Sequence, residues 1–230
     1  MRVSSQHPKK KILFTLNFQL FTTLYIAFEG IVGSGKSTQV RKLGEYLQWE
    51  RHDVVHVREP GTTPIAEDIR HLAQVKGWEG EHMHPLTNAY LYAAARSQTL
   101  HTVVRPALDA GKIVVADRCF LSSCTIQWEA QWLGIDTILD INHEAILGII
   151  PDVVIYLDID ADTALSRIFD HSGDKFEREW KSFYQAIIRW YEKCEKLEIM
   201  KNRFVRIDAS GTEDEVFARI LRKLNSLKHV

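Results

Sequence analysis

The chain has 230 residues with 45% hydrophobic and 26% charged side chains, which is the composition of one soluble domain of α/β size. This composition excludes collagen-like, disordered and disulfide-stabilised chains. With 29 Lys and Arg against 30 Asp and Glu, no overall field steers the protein to nucleic acid or to an anionic membrane, so an anionic ligand must be held locally. The cysteines Cys119, Cys124 and Cys194 are odd in number and lack metal-like spacing, which predicts free thiols, no zinc site and a cytoplasmic location.

Residues 1–23 are treated as an N-terminal extension outside the functional core. Three lysines at 9–11 precede an apolar run that reaches Phe28. This order of charged and apolar residues is similar to that of a signal peptide. Polar residues interrupt the run, no small-residue cleavage site closes it, and its last five residues are needed as a strand. We therefore expect neither export nor a membrane anchor.

From Leu24 onward, short apolar runs alternate with longer helical periodicities, which is typical of βαβ units around a parallel sheet. The predicted strands are Leu24–Phe28, Asp53–Arg58, Ile113–Asp117, Val153–Asp158 and Phe204–Ile207. Each is short and rich in Val, Ile, Leu or Phe, as expected when helices cover both faces of the sheet. The pattern predicts one α/β domain over residues 24–230, with three layers and a five-stranded parallel sheet.

Helices are predicted between these strands from periodicity and from their start and stop signals. They are Lys36–Arg51, Pro64–Val75, Pro85–Ala110, Leu121–Leu133, Asn142–Ile149, Ala161–Phe169, Lys175–Lys201 and Thr212–Leu227. Two glycine-containing breaks, at 59–63 and 171–174, are candidates for mobile loops over a site.

A phosphate-binding loop follows the first strand. Residues 30–37, Gly-Ile-Val-Gly-Ser-Gly-Lys-Ser, fit the pattern G-x-x-x-x-G-K-[ST] between a strand and a helix. The glycines let backbone N–H groups turn toward an anion, the helix start adds its positive dipole end, Lys36 supplies a mobile cation and Ser37 a hydroxyl for Mg²⁺. The loop predicts a site for ATP and magnesium, with these binding residues: Gly30, Gly33, Ser34, Gly35, Lys36, Ser37 and Thr38.

A second magnesium ligand is predicted at Asp117, which ends a buried apolar strand. An aspartate at this position could also cap a helix or pair with Arg118. The pattern favours contact with the metal or with a reacting oxygen.

Several further motifs follow in a fixed order along the chain: Phe28-Glu29-Gly30, Arg58-Glu59-Pro60-Gly61-Thr62, Leu91-Tyr92-Ala93-Ala94-Ala95-Arg96, Asp117-Arg118 with Ser122-Ser123, Ala164-Leu165-Ser166-Arg167 and Ile207-Asp208-Ala209-Ser210. From Leu24 to the C-terminus this series resembles the thymidylate kinase family of P-loop nucleoside monophosphate kinases. The resemblance implies Mg²⁺-dependent transfer of the γ-phosphate of ATP to dTMP, a short lid at about 167–177, and a homodimer that binds neither nucleic acid nor membrane.

The resemblance also assigns residues that bind the acceptor. Tyr92 and Arg96 lie four apart on one predicted helix face, where a ring can stack on thymine and a guanidinium can reach its carbonyl edge. Ser123 and Gln127 are likewise four apart and can hydrogen-bond a pyrimidine. The alternatives are a core aromatic for Tyr92, a surface ion pair for Arg96 and solvated polar groups for Ser123 and Gln127.

Arginines are expected around the two phosphate groups. By the resemblance Arg118 and Arg58 flank the monophosphate, where a guanidinium fork matches phosphate oxygens, and Arg70 is a further candidate. The predicted catalytic set is Lys36, Asp117, Arg118 and Arg167, and Ser210 is expected beside the adenine.

Four departures from the family pattern concern acceptor selectivity and the lid. Val32 stands where an acidic residue is usual, Cys119 replaces an aromatic or His, and Ile126 replaces an aromatic that helps to exclude a 2′-hydroxyl. The lid offers only Arg167, Lys175 and Arg178 as cations. Two alternatives therefore stay open: a related kinase with another pyrimidine nucleotide or a deoxynucleoside as acceptor, and a catalytically weakened nucleotide-binding module.

Overall fold

The computed structural model describes residues 23–74, 80–125, 133–168 and 175–227. Within these ranges five strands form one parallel sheet in the order β2-β3-β1-β4-β5. The strands are β1 (Leu24–Glu29), β2 (Val54–Arg58), β3 (Ile113–Asp117), β4 (Val153–Asp158) and β5 (Phe204–Asp208). The five-stranded parallel sheet predicted from the sequence is confirmed, and every predicted strand end lies within one residue of the observed one.

The α-helices of the described ranges are α1 (Lys36–Trp49), α2 (Pro64–Gln74), α3 (Pro85–Thr99), α4 (Arg105–Asp109), α5 (Ile135–Ile146), α6 (Ala161–Ser166), α7 (Lys175–Cys194) and α8 (Glu213–Ser226). Residues 121–125 are also helical, and the rest of that predicted helix, 126–132, lies outside the described residues. Of the helices that are described, none combines the length and the apolar character needed to cross a membrane.

The long helix predicted over Pro85–Ala110 is present as far as Asp109, but it is not α-helical throughout. A π-helical turn, Leu100–Val104, separates α3 from α4, and Arg105 donates its N–H to the carbonyl of Leu100. Pro106 follows directly; it has no N–H, and its ring would collide with a carbonyl in the preceding turn of a regular α-helix. The helix widens by one residue just before this proline, which relieves the conflict.

The start of α5 was predicted wrongly. The helix was predicted over Asn142–Ile149, whereas it begins at Ile135, after Gly134, and ends at Ile146, before Leu147 with its left-handed φ of 41°. Ile138 is fully buried on the first half of the helix. The apolar face therefore starts one to two turns earlier than the sequence pattern suggested.

The sheet separates two hydrophobic cores. Leu24, Ile26 and Phe28 of β1 face a core with α1, α7 and α8, while Tyr25 and Ala27 face a core built with the π-helical turn, α4 and α5. All of β1 is buried, as expected for a central strand with helices on both sides. The arrangement confirms the three-layer α/β/α prediction and places the loops that follow β1, β2 and β3 at one edge of the sheet.

Candidate active site

The loop between β1 and α1 wraps around a space at the carboxyl edge of the sheet. Gly33 and Gly35 have φ values of 84° and 91°, which L side chains rarely adopt. A Cβ atom added at Gly33 would also collide with the carbonyl of Ala164. Glycine at position 33 is therefore required by backbone conformation and by the close approach of α6.

Lys36 is buried and folds back over this loop. Its Nζ donates hydrogen bonds to the carbonyl oxygens of Gly30 and Ile31, both at 2.9 Å. Burial, followed by the positive charge of Arg118, lowers the pKa of Lys36 to about 7. The Ser34 hydroxyl nearby is buried and has no partner among the described residues. The loop thus contains a cation and a polar group that an anionic ligand would satisfy better than the loop itself does.

The predicted magnesium ligands Ser37 and Asp117 are in contact. The register of β1 and β3 pairs Phe28 with Asp117, so Asp117 lies level with the entry to the loop. The Ser37 hydroxyl donates to Asp117 Oδ2 at 2.6 Å. Two hard oxygen ligands suit Mg²⁺, which keeps several waters and takes further ligands from substrate phosphates. Among the described residues no group of three His, Cys, Asp or Glu could hold a metal ion alone, so the fit is to a phosphate-bound Mg²⁺.

One cleft of about 1010 Å³ connects the phosphate loop to the residues predicted for the acceptor. Thirteen of the predicted site residues line it: Gly33, Ser34, Gly35, Lys36, Ser37, Thr38, Arg58, Arg70, Tyr92, Arg96, Asp117, Arg118 and Arg167. Val32 also lines the cleft and is 51% exposed. The fold therefore brings the phosphate loop and the motifs predicted for the acceptor, which are far apart in the sequence, to one cleft.

Arg96 is held by a buried set of partners rather than by a surface carboxylate. Its Nε donates to Glu59 Oε2 at 2.6 Å, and its Nη1 donates to Asn142 Oδ1 and, at 3.1 Å, to Ser123 Oγ. Burial raises the pKa of Glu59, and the positive charge of Arg96 opposes that rise. Ser123 is thus buried behind the guanidinium. Its predicted contact with the base stays a prediction, as does that of Gln127, which lies outside the described residues.

Arg58 and Arg70 share one carboxylate at the side of the cleft. Arg58 Nη2 lies 2.6 Å from Glu67 Oε1, and Arg70 Nη1 lies 3.4 Å from Glu67 Oε2. The hydrogen bond from Arg58 is the main reason why the pKa of Glu67 is lowered. All three side chains are partly exposed, so a phosphate group can compete with Glu67 for both guanidinium groups.

Tyr92 lines the same cleft as the phosphate loop, and its hydroxyl accepts a 2.7 Å hydrogen bond from Gln74 Nε2. Arg167 donates from Nη1 to the Gly33 carbonyl at 3.2 Å and from Nη2 to the Ala209 carbonyl at 3.1 Å. It therefore bridges the phosphate loop and the segment after β5. Ser210 lines a neighbouring cavity instead of this cleft, and its expected place beside adenine stays a prediction.

Three carboxylates that hold the arginines were not singled out from the sequence: Glu29, Glu59 and Glu67. Glu29 and Glu59 belong to two motifs that carry the family resemblance, Phe28-Glu29-Gly30 and the segment that begins at Arg58, but neither glutamate was assigned a role. Both glutamates stand at the end of an apolar strand, and a charged residue that is buried there needs a partner. This position in the sequence could have indicated that they pair with arginines. Glu67 carries no comparable signal, because acidic residues in the first turn of a helix are common.

Comparison with known proteins agrees with this geometry. A sequence model described as thymidylate kinase matches residues 28–220. The chain is 39% identical over 202 residues to the thymidylate kinase of Finegoldia magna, covering 87% of this chain and 97% of that protein. It is 42% identical over 197 residues to that of a Geobacillus strain, covering 84% and 92%, and 35% identical over 209 residues to that of Halothermothrix orenii, covering 87% and 96%. The chain belongs to the thymidylate kinase family.

Proposed function

We propose that this chain is a phosphotransferase that moves the γ-phosphate of ATP to dTMP with Mg²⁺, giving dTDP and ADP. The curated relatives it resembles are named thymidylate kinases, and it covers nearly their whole length. The observation that carries the proposal is the single cleft lined both by the phosphate loop and by Tyr92, Arg96 and Arg118. Phosphoryl transfer asks the protein mainly for alignment and charge neutralisation, and a common cleft provides for both.

At the donor end, the backbone N–H groups of residues 33–38 bind the phosphates of ATP, and Lys36 exchanges its two carbonyl partners for phosphate oxygens. Ser37 and Asp117 hold the magnesium ion, which would neutralise charge on the transferred group when bound. Arg167, which contacts the carbonyls of Gly33 and Ala209 beside the phosphate loop, is the fourth member of the proposed catalytic set.

At the acceptor end, Arg118 and Arg58 bind the monophosphate, with Arg70 as a third cation at the same wall. Tyr92 stacks on thymine, and Arg96 donates to the base from Nη2, whose one contact, with the Cys119 carbonyl, is long at 3.5 Å. Because Glu59, Asn142 and Ser123 already fix the Arg96 guanidinium, its orientation costs little entropy when the base arrives.

The lid, the assembly and the location belong to the same proposal. The lid at about 167–177 closes over the triphosphate and excludes the water that would otherwise accept the phosphoryl group; its residues 169–174 lie outside the described ranges. The enzyme works as a cytoplasmic homodimer, in line with the family resemblance.

A panel of acceptors tests the proposal: dTMP, dUMP, ribosyl thymidine monophosphate and thymidine, each with ATP, with and without Mg²⁺, followed by identification of the products. We expect dTDP from dTMP with Mg²⁺ and little product from thymidine, because a nucleoside offers the arginines no anion. Lys36→Ala should reduce turnover by orders of magnitude while thermal unfolding stays close to that of the wild type.

Two results would contradict the proposal. Faster phosphorylation of thymidine than of dTMP would identify a nucleoside kinase. Binding of ATP and dTMP without product in a single-turnover experiment would identify a nucleotide-binding module instead of a kinase.

A further inference from the structure

We propose that Glu29 and Tyr191 are positioning residues that orient Arg118 for the acceptor phosphate. The inference rests on the proposed function, because it assigns a role to the residues behind the phosphate-binding arginine. Neither side chain lines the cleft. Both are fully buried, so they act through Arg118 and not on the substrate.

The Glu29 carboxylate lies at the centre of a buried hydrogen-bond network. Its Oε1 accepts from the N–H groups of Cys119 and Ser122 at 2.8 and 3.1 Å, and its Oε2 accepts from the Ser122 hydroxyl at 2.8 Å and from the Tyr191 hydroxyl at 2.7 Å. Arg118 Nη1 lies 3.9 Å from the same Oε2 and donates to the Ser122 hydroxyl at 3.0 Å. The carboxylate therefore fixes both the backbone after Arg118 and the hydroxyl that holds its guanidinium.

The backbone at Arg118 needs such support. Its φ of 78° is in the left-handed region, which is unfavourable for a non-glycine residue unless the surrounding structure holds it there. The Arg118 N–H donates to the carbonyl of Phe28 at 2.9 Å, and the next N–H, at Cys119, donates to Glu29. Two consecutive bonds to the end of β1 thus hold the turn, which aims the Arg118 side chain into the cleft.

The guanidinium of Arg118 keeps donors available for a ligand. Within the described residues, its side chain makes one hydrogen bond, to Ser122, and the 3.9 Å approach to Glu29 is an ion pair without a short hydrogen bond. Glu29 therefore attracts and orients the guanidinium while most of its N–H groups stay free for phosphate oxygens.

Tyr191 connects this network to α7, the helix that begins at Lys175 within the predicted lid. Burial, and then the neighbouring Glu29 charge, raise the pKa of Tyr191 well above its usual value, so the hydroxyl remains a donor at neutral pH. Removing that hydroxyl leaves a buried carboxylate oxygen with one donor fewer, which loosens the orientation of both Ser122 and Arg118.

Binding of dTMP and thymidine to Tyr191→Phe, measured by calorimetry, tests the inference, because the two ligands differ only in the phosphate that Arg118 would bind. We expect the Kd for dTMP to rise about tenfold, the size of one hydrogen bond to a charged group, while the Kd for thymidine changes less than twofold. The matched control is Tyr156→Phe. Its ring lies 4.7 Å from that of Tyr191 and is equally buried, but its hydroxyl is not bonded to Glu29.

The same substitution in an Arg118→Ala background shows whether the effect passes through the arginine. If it does, Tyr191→Phe should weaken dTMP binding no further in that background. Ser122→Ala, which interrupts the network between Glu29 and Arg118, should reproduce the selective loss. Because Ser122 itself lines the cleft, this variant is also measured in the Arg118→Ala background, where it should weaken dTMP binding no further; this pair of measurements replaces Tyr191→Phe if that variant unfolds.

Equal losses for dTMP and thymidine, a loss no larger than in Tyr156→Phe, or an unchanged effect without Arg118 would each overturn the inference while leaving the proposed function standing. A wild-type protein that does not phosphorylate dTMP would instead overturn the proposed function, and the inference with it.

Discussion

The lowered pKa of Lys36 predicts that ATP binding takes up a proton above neutral pH. In the free protein the pKa is about 7, mainly because the ammonium is buried. Bound phosphates would surround the same group with negative charge and return its pKa toward the ordinary lysine value of about 10.4. Above pH 7 the Lys36 side chain is mostly neutral in the free protein and charged in the complex. Binding of ATP must therefore take up a proton from solvent.

The size of the effect depends on pH. At pH 8, with a pKa of about 7, roughly one-tenth of the free protein carries a charged Lys36, so binding takes up about 0.9 proton. At pH 7 the uptake falls to about 0.5. Because about one proton is bound with each ATP, affinity should fall about tenfold between pH 8 and pH 9. The terminal phosphate, with a second pKa near 6, is already ionised in this range and contributes little.

Calorimetric titration with Mg²⁺ and ATP at pH 8, in two buffers of different ionisation enthalpy, measures the uptake as the slope of the observed heat against buffer enthalpy. The control is Lys36→Arg, because a guanidinium stays charged and should give a slope near zero even if affinity falls. A wild-type slope below about 0.2, or the same slope in both proteins, would refute the assignment of the lowered pKa to Lys36.

Two further predictions concern the acceptor and the buried ion pair. Val32→Asp should tighten binding of dTMP relative to its 3′-deoxy analogue, because the exposed side chain at the cleft would gain an acceptor for the sugar hydroxyl; equal effects on both ligands in calorimetry would count against that placement. Glu59→Gln should lower the free energy of unfolding by about 3 kcal/mol and the Tm by about 6–12 °C, since it leaves the buried Arg96 without its counter-charge. Glu67→Gln, which weakens the half-exposed pair with Arg58, should cost less than about 1 kcal/mol, and similar Tm losses in the two variants would contradict the difference in burial.

The strands and the phosphate loop could be predicted from the sequence, because each depends on a pattern within a few consecutive residues. The central strands β1, β3 and β4 are short apolar runs because helices cover both faces of the sheet, whereas the edge strands β2 and β5 are partly exposed and include polar residues. The phosphate loop was equally clear, since its glycines, Lys36 and Ser37 act within eight consecutive residues. Errors occurred where a local pattern is ambiguous. Apolar residues at the start of α5 precede the polar ones used to place it, and a helical periodicity does not distinguish the π-helical turn from α-helix. The helix predicted over Lys175–Lys201 ends earlier, at Cys194, and is followed by a separate 3-10 turn.

The supporting partners of the site were not predictable in the same way, because they are distant along the chain. Glu29 and Tyr191 are 162 residues apart, and Glu59 and Arg96 are 37 apart. A buried carboxylate signals only that it needs a partner, and several arginines could have met that need. The sheet order brings the ends of β1, β2 and β3 together, and the positions of α3 and α7 beside those ends select the actual pairs.

These pairs explain how a protein with a formal net charge of −1 can present a cationic cleft. Each of the main arginines contacts a carboxylate: Arg118 with Glu29, Arg96 with Glu59, and Arg58 with Glu67. The carboxylates reduce repulsion between neighbouring guanidinium groups in the cleft and limit the rotamers these groups can adopt.

The three ion pairs differ in burial, and their roles should differ accordingly. The exposed partner Glu67 can yield its arginines to a phosphate, whereas the buried partners Glu29 and Glu59 must keep theirs, because separating a buried pair leaves two uncompensated charges. We therefore expect Arg58 to be the cation that moves when the acceptor binds, and Arg118 and Arg96 to keep their positions.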